Sequence, residues 1–196
     1  LYVTTRVGEW RYMHLRIEGE AVGGLQRLFL CNWYFTTKRL RIEKKFFPLL
    51  PPRSEFSLSQ IVYSTPVQQF SKLEMGITWI ANNARNYLYI TTPYFMPTTP
   101  VLQALQSAAM AGVDVRLLLP EKPDAFWLRY GNEAFFEDVL NAGVRIFLYP
   151  ERFMHAKVLV TDDELCSIGS ANMDFRSFEN NFEACALRYD APLATE

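Results

Sequence analysis

His155 and Lys157 stand two residues apart in the run His-Ala-Lys-Val-Leu-Val-Thr-Asp, which Asp162 closes, and Gly169-Ser170-Ala171-Asn172 comes shortly after. The string HxKx4Dx6GSxN gathers a titratable imidazole, a fixed cation, a hydroxyl and an amide, the groups that can grip and attack a phosphoryl centre. Chance alone would place it in about 10⁻⁵ to 10⁻⁶ of chains this long. A lysine acts on phosphate as a point charge, and a histidine near neutral pH is a nucleophile or a proton carrier. A general acid helps most when the leaving group is poor, such as the alkoxide of a phosphodiester. The chemistry that fits is phosphoryl transfer with neither metal nor other cofactor, since the carboxylates lack His-rich ligand spacing.

Elements must bring these groups together. Residues two apart on a strand share a face, so His155 and Lys157 are expected to point one way and Val158 and Val160 the other. Ser170 and Asn172 have the same relation just beyond the next predicted strand. A hairpin through residues 162–164 would join the two pairs in one phosphate-binding pocket. The imidazole needs a partner to fix its tautomer; Glu183, on the last predicted strand, is the choice, with Glu179 and Asp174 as alternatives. Asp162 sits at a strand end, where a turn or capping role competes with chemistry. His14 lies on a predicted strand near two arginines and is a weaker candidate. Arg176 and Glu179 could meet a ligand or pair with each other.

Around the motif the chain reads as alternating elements. A strand is expected over 10–18 and an amphipathic helix over 20–36, with Leu25, Leu28, Phe29 and Trp33 on one side. Residues 38–55 interleave Lys38, Arg39, Arg41, Lys44, Lys45 and Arg53 with apolar residues and prolines, which reads as a linker that could also touch a membrane. The domain division is therefore 1–55, then 56–196. Strands are expected at 60–64, 87–92, 113–119, 144–149, 156–161, 165–169 and 182–189, with helices at 67–84, from Thr98 or Thr99 to Gly112, and at 131–141. This alternation predicts an α/β layered fold, a mixed sheet flanked by helices.

Composition agrees with a packed domain: 49% hydrophobic and 15% aromatic residues, 20 basic against 21 acidic, a net charge of −1. Near-neutral charge argues against a dedicated nucleic-acid binder. Cys31, Cys166 and Cys185 are widely spaced, without CxxC, and are expected to be reduced thiols facing a cytoplasm. No apolar run approaches the ~20 residues of a membrane span. The chain opens at Leu1 without methionine and closes where a helix would begin, so it reads as a piece cut at both ends from a longer protein.

The motif resembles the HKD signature of the phospholipase D superfamily. Trp10-Arg11, the run from His14 to Gly19, and Asn32-Trp33-Tyr34-Phe35 are similar to the segment after the first HKD motif in bacterial cardiolipin synthases. Thr92-Pro93-Tyr94-Phe95, Gly112-Val113-Asp114-Val115-Arg116, Gly143-Val144-Arg145-Ile146 and the run from Met173 to Phe178 resemble their second half. The resemblance implies a phospholipase D-like fold and phosphatidyl transfer between two phosphatidylglycerols through a phosphohistidine, releasing glycerol. It implies His155 as the acid/base of the second motif, Lys157, Ser170 and Asn172 as phosphate ligands, and Glu183 as the residue orienting a histidine. Its implied partners are an anionic phospholipid, a membrane surface and the missing first HKD half, with no nucleic acid. The implied location is the cytoplasmic face of a bacterial membrane. By itself the chain would hold half an active site and be inactive. Tyr12 departs from the pattern, which has an aspartate after Trp-Arg; that puts histidine orientation in the missing half in doubt. The rivals are a phospholipase D-type nuclease or phosphodiesterase and a non-catalytic module.

Overall fold

The computed structural model describes residues 10–49 and 57–189. Strand β1 (Trp10–Arg11) precedes helix α1 (Val22–Thr37) and a 3₁₀ turn at Lys44–Phe46. Strand β2 (Leu58–Ser64) leads to α2 (Lys72–Asn83), β3 (Tyr87–Thr91), the short β4 (Phe95–Met96) and α3 (Thr99–Met110). After β5 (Asp114–Pro120) come α4 (Phe126–Glu133), α5 (Phe136–Asn141), β6 (Arg145–Tyr149) and the short β7 (Phe153–Met154). β8 (Val158–Thr161), β9 (Leu165–Gly169), β10 (Met173–Asp174), a π-helical turn at Arg176–Asn180 and β11 (Glu183–Tyr189) complete the described chain.

Seven strands make one mixed sheet in the order β2-β11-β9-β8-β3-β5-β6. β3, β5 and β6 are parallel, because α3 and then α4–α5 carry the chain back between them. β8, β9, β11 and β2 are antiparallel to their neighbours. Leu88 and Ile90 on β3, Val115, Leu117 and Leu119 on β5, and Leu159 on β8 alternate into one core face. There they pack with Leu73, Ile77 and Ile80 of α2 and with Val101, Ala104, Leu105 and Ala108 of α3. Val62 of β2 joins that core, so Ile61 faces the other way, against Gly24 of α1. Helices therefore flank both faces, as the alternating pattern predicts. Among the described residues no helix is long and apolar enough to cross a membrane.

Four expectations are adjusted. The strand expected over 10–18 forms a ladder only at Trp10–Arg11, because its partner β7 is itself two residues long. The helix expected from 67 starts at Lys72: Ser71 is its N-cap, and its Oγ accepts from the Glu74 N–H at 3.2 Å, a Ser-x-x-Glu start. The helix expected over 131–141 is two helices, α4 and α5. On the solvent side of α1, Phe29 is 57% exposed, and of the apolar face expected there only Leu28 is buried. The expected division near residue 55 falls at residues 50–56, outside the described residues.

Of the two roles open to Asp162, catalytic or turn-forming, the structure shows the turn. It and Asp163 have positive φ (56° and 55°), and the Glu164 N–H donates to Thr161 O at 3.1 Å. That is the mirror-image turn a tight hairpin prefers. The Asp162 carboxylate accepts the backbone N–H groups of Arg85, Asn86 and Tyr87 at 2.8, 2.8 and 3.0 Å, pinning the start of β3 to the hairpin tip. Burial works to raise its pKa, but these three donors together hold it below the ordinary value. Asp162 lies five residues beyond Lys157 along the strand, roughly 16 Å at about 3.3 Å per residue, so it does not share the pocket. Asp162→Ala should therefore cost about 2 kcal/mol in urea denaturation. Asp162→Asn keeps the left-handed turn but offers one acceptor oxygen, and should fall between the two.

Candidate active site

The motif lies at the end of the sheet where β9 finishes and its antiparallel neighbours β8 and β11 begin. His155 and Lys157 occupy the link between β7 and β8, since the strand expected from 156 begins at Val158. The His155 N–H donates to Arg11 O at 2.8 Å, and the Gly169 N–H donates to Lys157 O at 3.3 Å, so both neighbours hold the link. Gly169 is needed for this. A Cβ there would lie 2.3 Å from the Ala184 carbonyl oxygen and 2.5 Å from Cys185 Sγ, so only glycine lets β9 come this close to β11.

Lys157 shares its strand face with buried Leu159 and lines a small cavity with Ile77, Thr92 and Met173. Its ammonium donates to its neighbour's carbonyl, His155 O, at 2.9 Å. Burial lowers its pKa to about 8, while the charges of Glu183, Asp174 and Asp124 work to keep it protonated. The His155 ring stands among aromatics: Trp10 at 5.0 Å, Tyr12 at 5.5 Å, Phe153 at 5.7 Å and Tyr94 at 6.3 Å between centroids. Burial, and then repulsion from Lys157, lower its pKa to about 4, opposed by Asp124. At neutral pH the imidazole is therefore uncharged, the form that accepts a proton or attacks phosphorus.

Glu183 opens β11 and is buried, and its hydrogen-bond partners are side chains other than the expected His155. Its carboxylate accepts from the Ser170 hydroxyl, from Asn181 Nδ2 at 3.1 Å and from Ser177 Oγ at 3.4 Å. Burial is the main cause of its raised pKa. Three side-chain donors take the oxygens of Glu183, and aromatic rings surround the imidazole. Ser170 departs from expectation for a related reason. Its one O–H is given to Glu183 and its oxygen accepts the Ala184 N–H at 3.0 Å, so here the hydroxyl fixes a carboxylate. Asn172 donates through Nδ2 to Asp174 Oδ2 at 3.4 Å, which leaves one amide hydrogen for a phosphate oxygen.

Of the weaker candidates, Asp174 is buried and accepts the Ser177 N–H at 2.7 Å. Arg176 and Glu179 are exposed on the π-helical turn. His14 meets the Tyr12 ring at 5.9 Å, one ring removed from His155. Sequence reasoning missed Ser177, which is fully buried and joins Asn172 N to Glu183 through its hydroxyl. It also missed Tyr94 and Asp124. Among the described residues no group of three His, Cys, Asp or Glu side chains is placed to hold a metal ion.

Comparison with known proteins decides the family. A family model described as "Cardiolipin synthase, PLD-like domain" matches residues 77–196. The chain belongs to this family. It is similar to the cardiolipin synthase of Clostridium perfringens strain SM101 (39% identity over 193 residues, 96% of this chain and 40% of the relative). It is likewise similar to cardiolipin synthase 1 of Staphylococcus aureus strain COL (40% identity, 97% of this chain, 39% of the relative). The chain thus spans about two-fifths of the length of the curated relatives it matches. In fold it resembles the phospholipase D family member Nuc of Salmonella typhimurium (TM-score 0.59, 19% identity, 71% of this chain, 88% of that one). It also resembles the phosphatidylserine synthase of Haemophilus influenzae (TM-score 0.54, 16% identity, 68% and 35%). For this phospholipase D-like domain the likeness to solved structures shows the fold alone.

The buried imidazole makes stability depend on pH. His155 has a lower pKa folded than unfolded, so protonation favours the unfolded chain. Its contribution should be complete above about pH 6.5 and decline as the pH falls towards about 4. His155→Gln should flatten that part of the stability curve measured by urea denaturation. An unchanged slope would show that the ring is not withdrawn from water.

Proposed function

We propose that this chain supplies the second catalytic half of a cardiolipin synthase, joining two phosphatidylglycerols and releasing glycerol. The observation that carries the reading is similarity along nearly the whole chain, at 39–40% identity, to proteins named cardiolipin synthase. A histidine and a lysine two residues apart supply the proton carrier and the cation such an activity requires.

In the proposed reaction the histidine of the missing half attacks the phosphorus of one phosphatidylglycerol. A P–N bond forms, the P–O bond to glycerol breaks, and the departing oxygen takes a proton from His155. The hydroxyl of a second phosphatidylglycerol then returns a proton to His155 while its oxygen displaces the histidine from phosphorus. Lys157 and the free Asn172 amide hydrogen would hold the non-bridging oxygens. Phosphate bound at Lys157 would also offset the repulsion that depresses His155, moving the imidazole towards the protonated form the first step needs. Glu183, fixed by Ser170, Ser177 and Asn181, would orient the histidine of the other half. Tyr12, which stands beside His155, comes from the tail of that half. On this reading residues 1–55 end the first half, and the protein works at the cytoplasmic face of a bacterial membrane.

The test uses the full two-motif protein with phosphatidylglycerol vesicles, read by mass spectrometry of the lipids. Cardiolipin and glycerol should appear together. His155→Ala should slow their formation by at least ~10²–10⁴-fold, the share acid–base help alone supplies. Hydrolysis of single-stranded DNA without lipid transfer would replace this reading with a nuclease. Undiminished function in the His155→Ala protein would replace it with a binding module.

A further inference from the structure

One wall of the His155 ring is Tyr94, and the hydroxyl of Tyr94 is bound to a carboxylate, Asp124, that the spacing of the motif does not suggest. We propose that Tyr94 and Asp124 form a positioning pair for His155, in which Tyr94 walls the imidazole and the Asp124 charge stabilises the imidazolium that forms during proton transfer. The inference rests on His155 being the working histidine of the proposed site.

The Tyr94 ring meets the His155 ring edge-on, at 6.3 Å and 73°. Its hydroxyl donates to Asp124 Oδ2 at 2.9 Å. Burial and the Asp124 carboxylate both push the Tyr94 phenol up, so it remains a donor throughout the working pH range.

Both ends of the pair are anchored. Asp124 lies just ahead of α4, whose Asn132 is buried at 4% exposure. Asn132 Oδ1 accepts the Phe95 N–H at 2.8 Å and its Nδ2 donates to Pro93 O at 3.4 Å. A Cβ on Gly131 would come within 2.8 Å of Met96 Sδ, so α4 sits directly on the segment that carries Tyr94. On the other side Thr92 Oγ1 donates to Tyr94 O at 3.0 Å and accepts the Met173 N–H at 3.1 Å, tying Tyr94 to the chain next to Asn172. Helix α4, the Tyr94 segment and the second half of the motif are thereby one framework.

The groups around the ring make the charge useful. Trp10, Tyr12, Phe153 and Tyr94 surround the ring without carrying charge. Lys157 opposes protonation and Asp124 favours it. Asp124 is exposed, so its effect on the ring is modest and sensitive to salt.

The test is a proton NMR titration of the imidazole in the 196-residue chain. The sequence has 2 histidines, so His14→Gln assigns the His155 signal. At low salt Asp124→Asn should lower the His155 pKa by about 0.5 unit. The difference should collapse at about 1 M salt, where screening acts within about 3 Å. Asp124→Glu should restore most of the shift. Tyr94→Phe, which keeps the ring and releases the carboxylate, should move the titration the same way by less. A titration unchanged in Asp124→Asn, or a shift that survives high salt or that Asp124→Glu does not restore, would overturn the pair. Because the readout is protonation, it stands whether or not the full protein makes cardiolipin.

Discussion

Withdrawing a lysine ammonium from water next to an imidazole is unfavourable, and most polar contacts around this site offset that penalty. Lys157 lies on the buried face of β8 because the strand period puts it in line with Leu159. The penalty appears as the lowered pKa values of both basic groups. Glu183, Asp174 and Asp124 supply the opposing charge from three different parts of the chain. A cation prepared in this way is poised for incoming negative charge, since fixed charges act more strongly where water is excluded.

The same constraint explains why so much of the network is devoted to Glu183. A buried carboxylate left without donors would be neutralised by protonation. Ser170, Ser177 and Asn181 each give it a hydrogen, and Ser177 in turn is held by Asp174. The motif is thus part chemistry and part architecture. His155 and Lys157 face the site, Gly169 permits the close approach of β9 and β11, Ser170 fixes a carboxylate, and Asp162 secures the far end of β3.

Much of the fold was legible because strands buried on one face alternate and helices carry their stops in the sequence. Gly112 and Gly143 end α3 and α5 with φ of 95° and 97°, as residue type alone implies. The misread elements were short or interrupted. β1 has a ladder only as long as β7 allows, and α4 and α5 are divided where Asn132 turns inward to bind the Pro93–Phe95 segment. The Ser-x-x-Glu start of α2 is present in the residues themselves, and that cap places the start at Lys72.

At the site, residue type and spacing determined the kind of chemistry: a histidine and a lysine two apart, then a glycine, a serine and an asparagine at fixed intervals. These are local relations, set by strand geometry, and a sequence states them directly. Which carboxylate serves which partner was decided only by the tertiary structure. Glu183, Asp162 and Asp124 all carry carboxylates, yet one is held by side-chain donors, one by three backbone N–H groups and one by a tyrosine. Those assignments depend on the distances between elements far apart in the chain, and packing sets such distances.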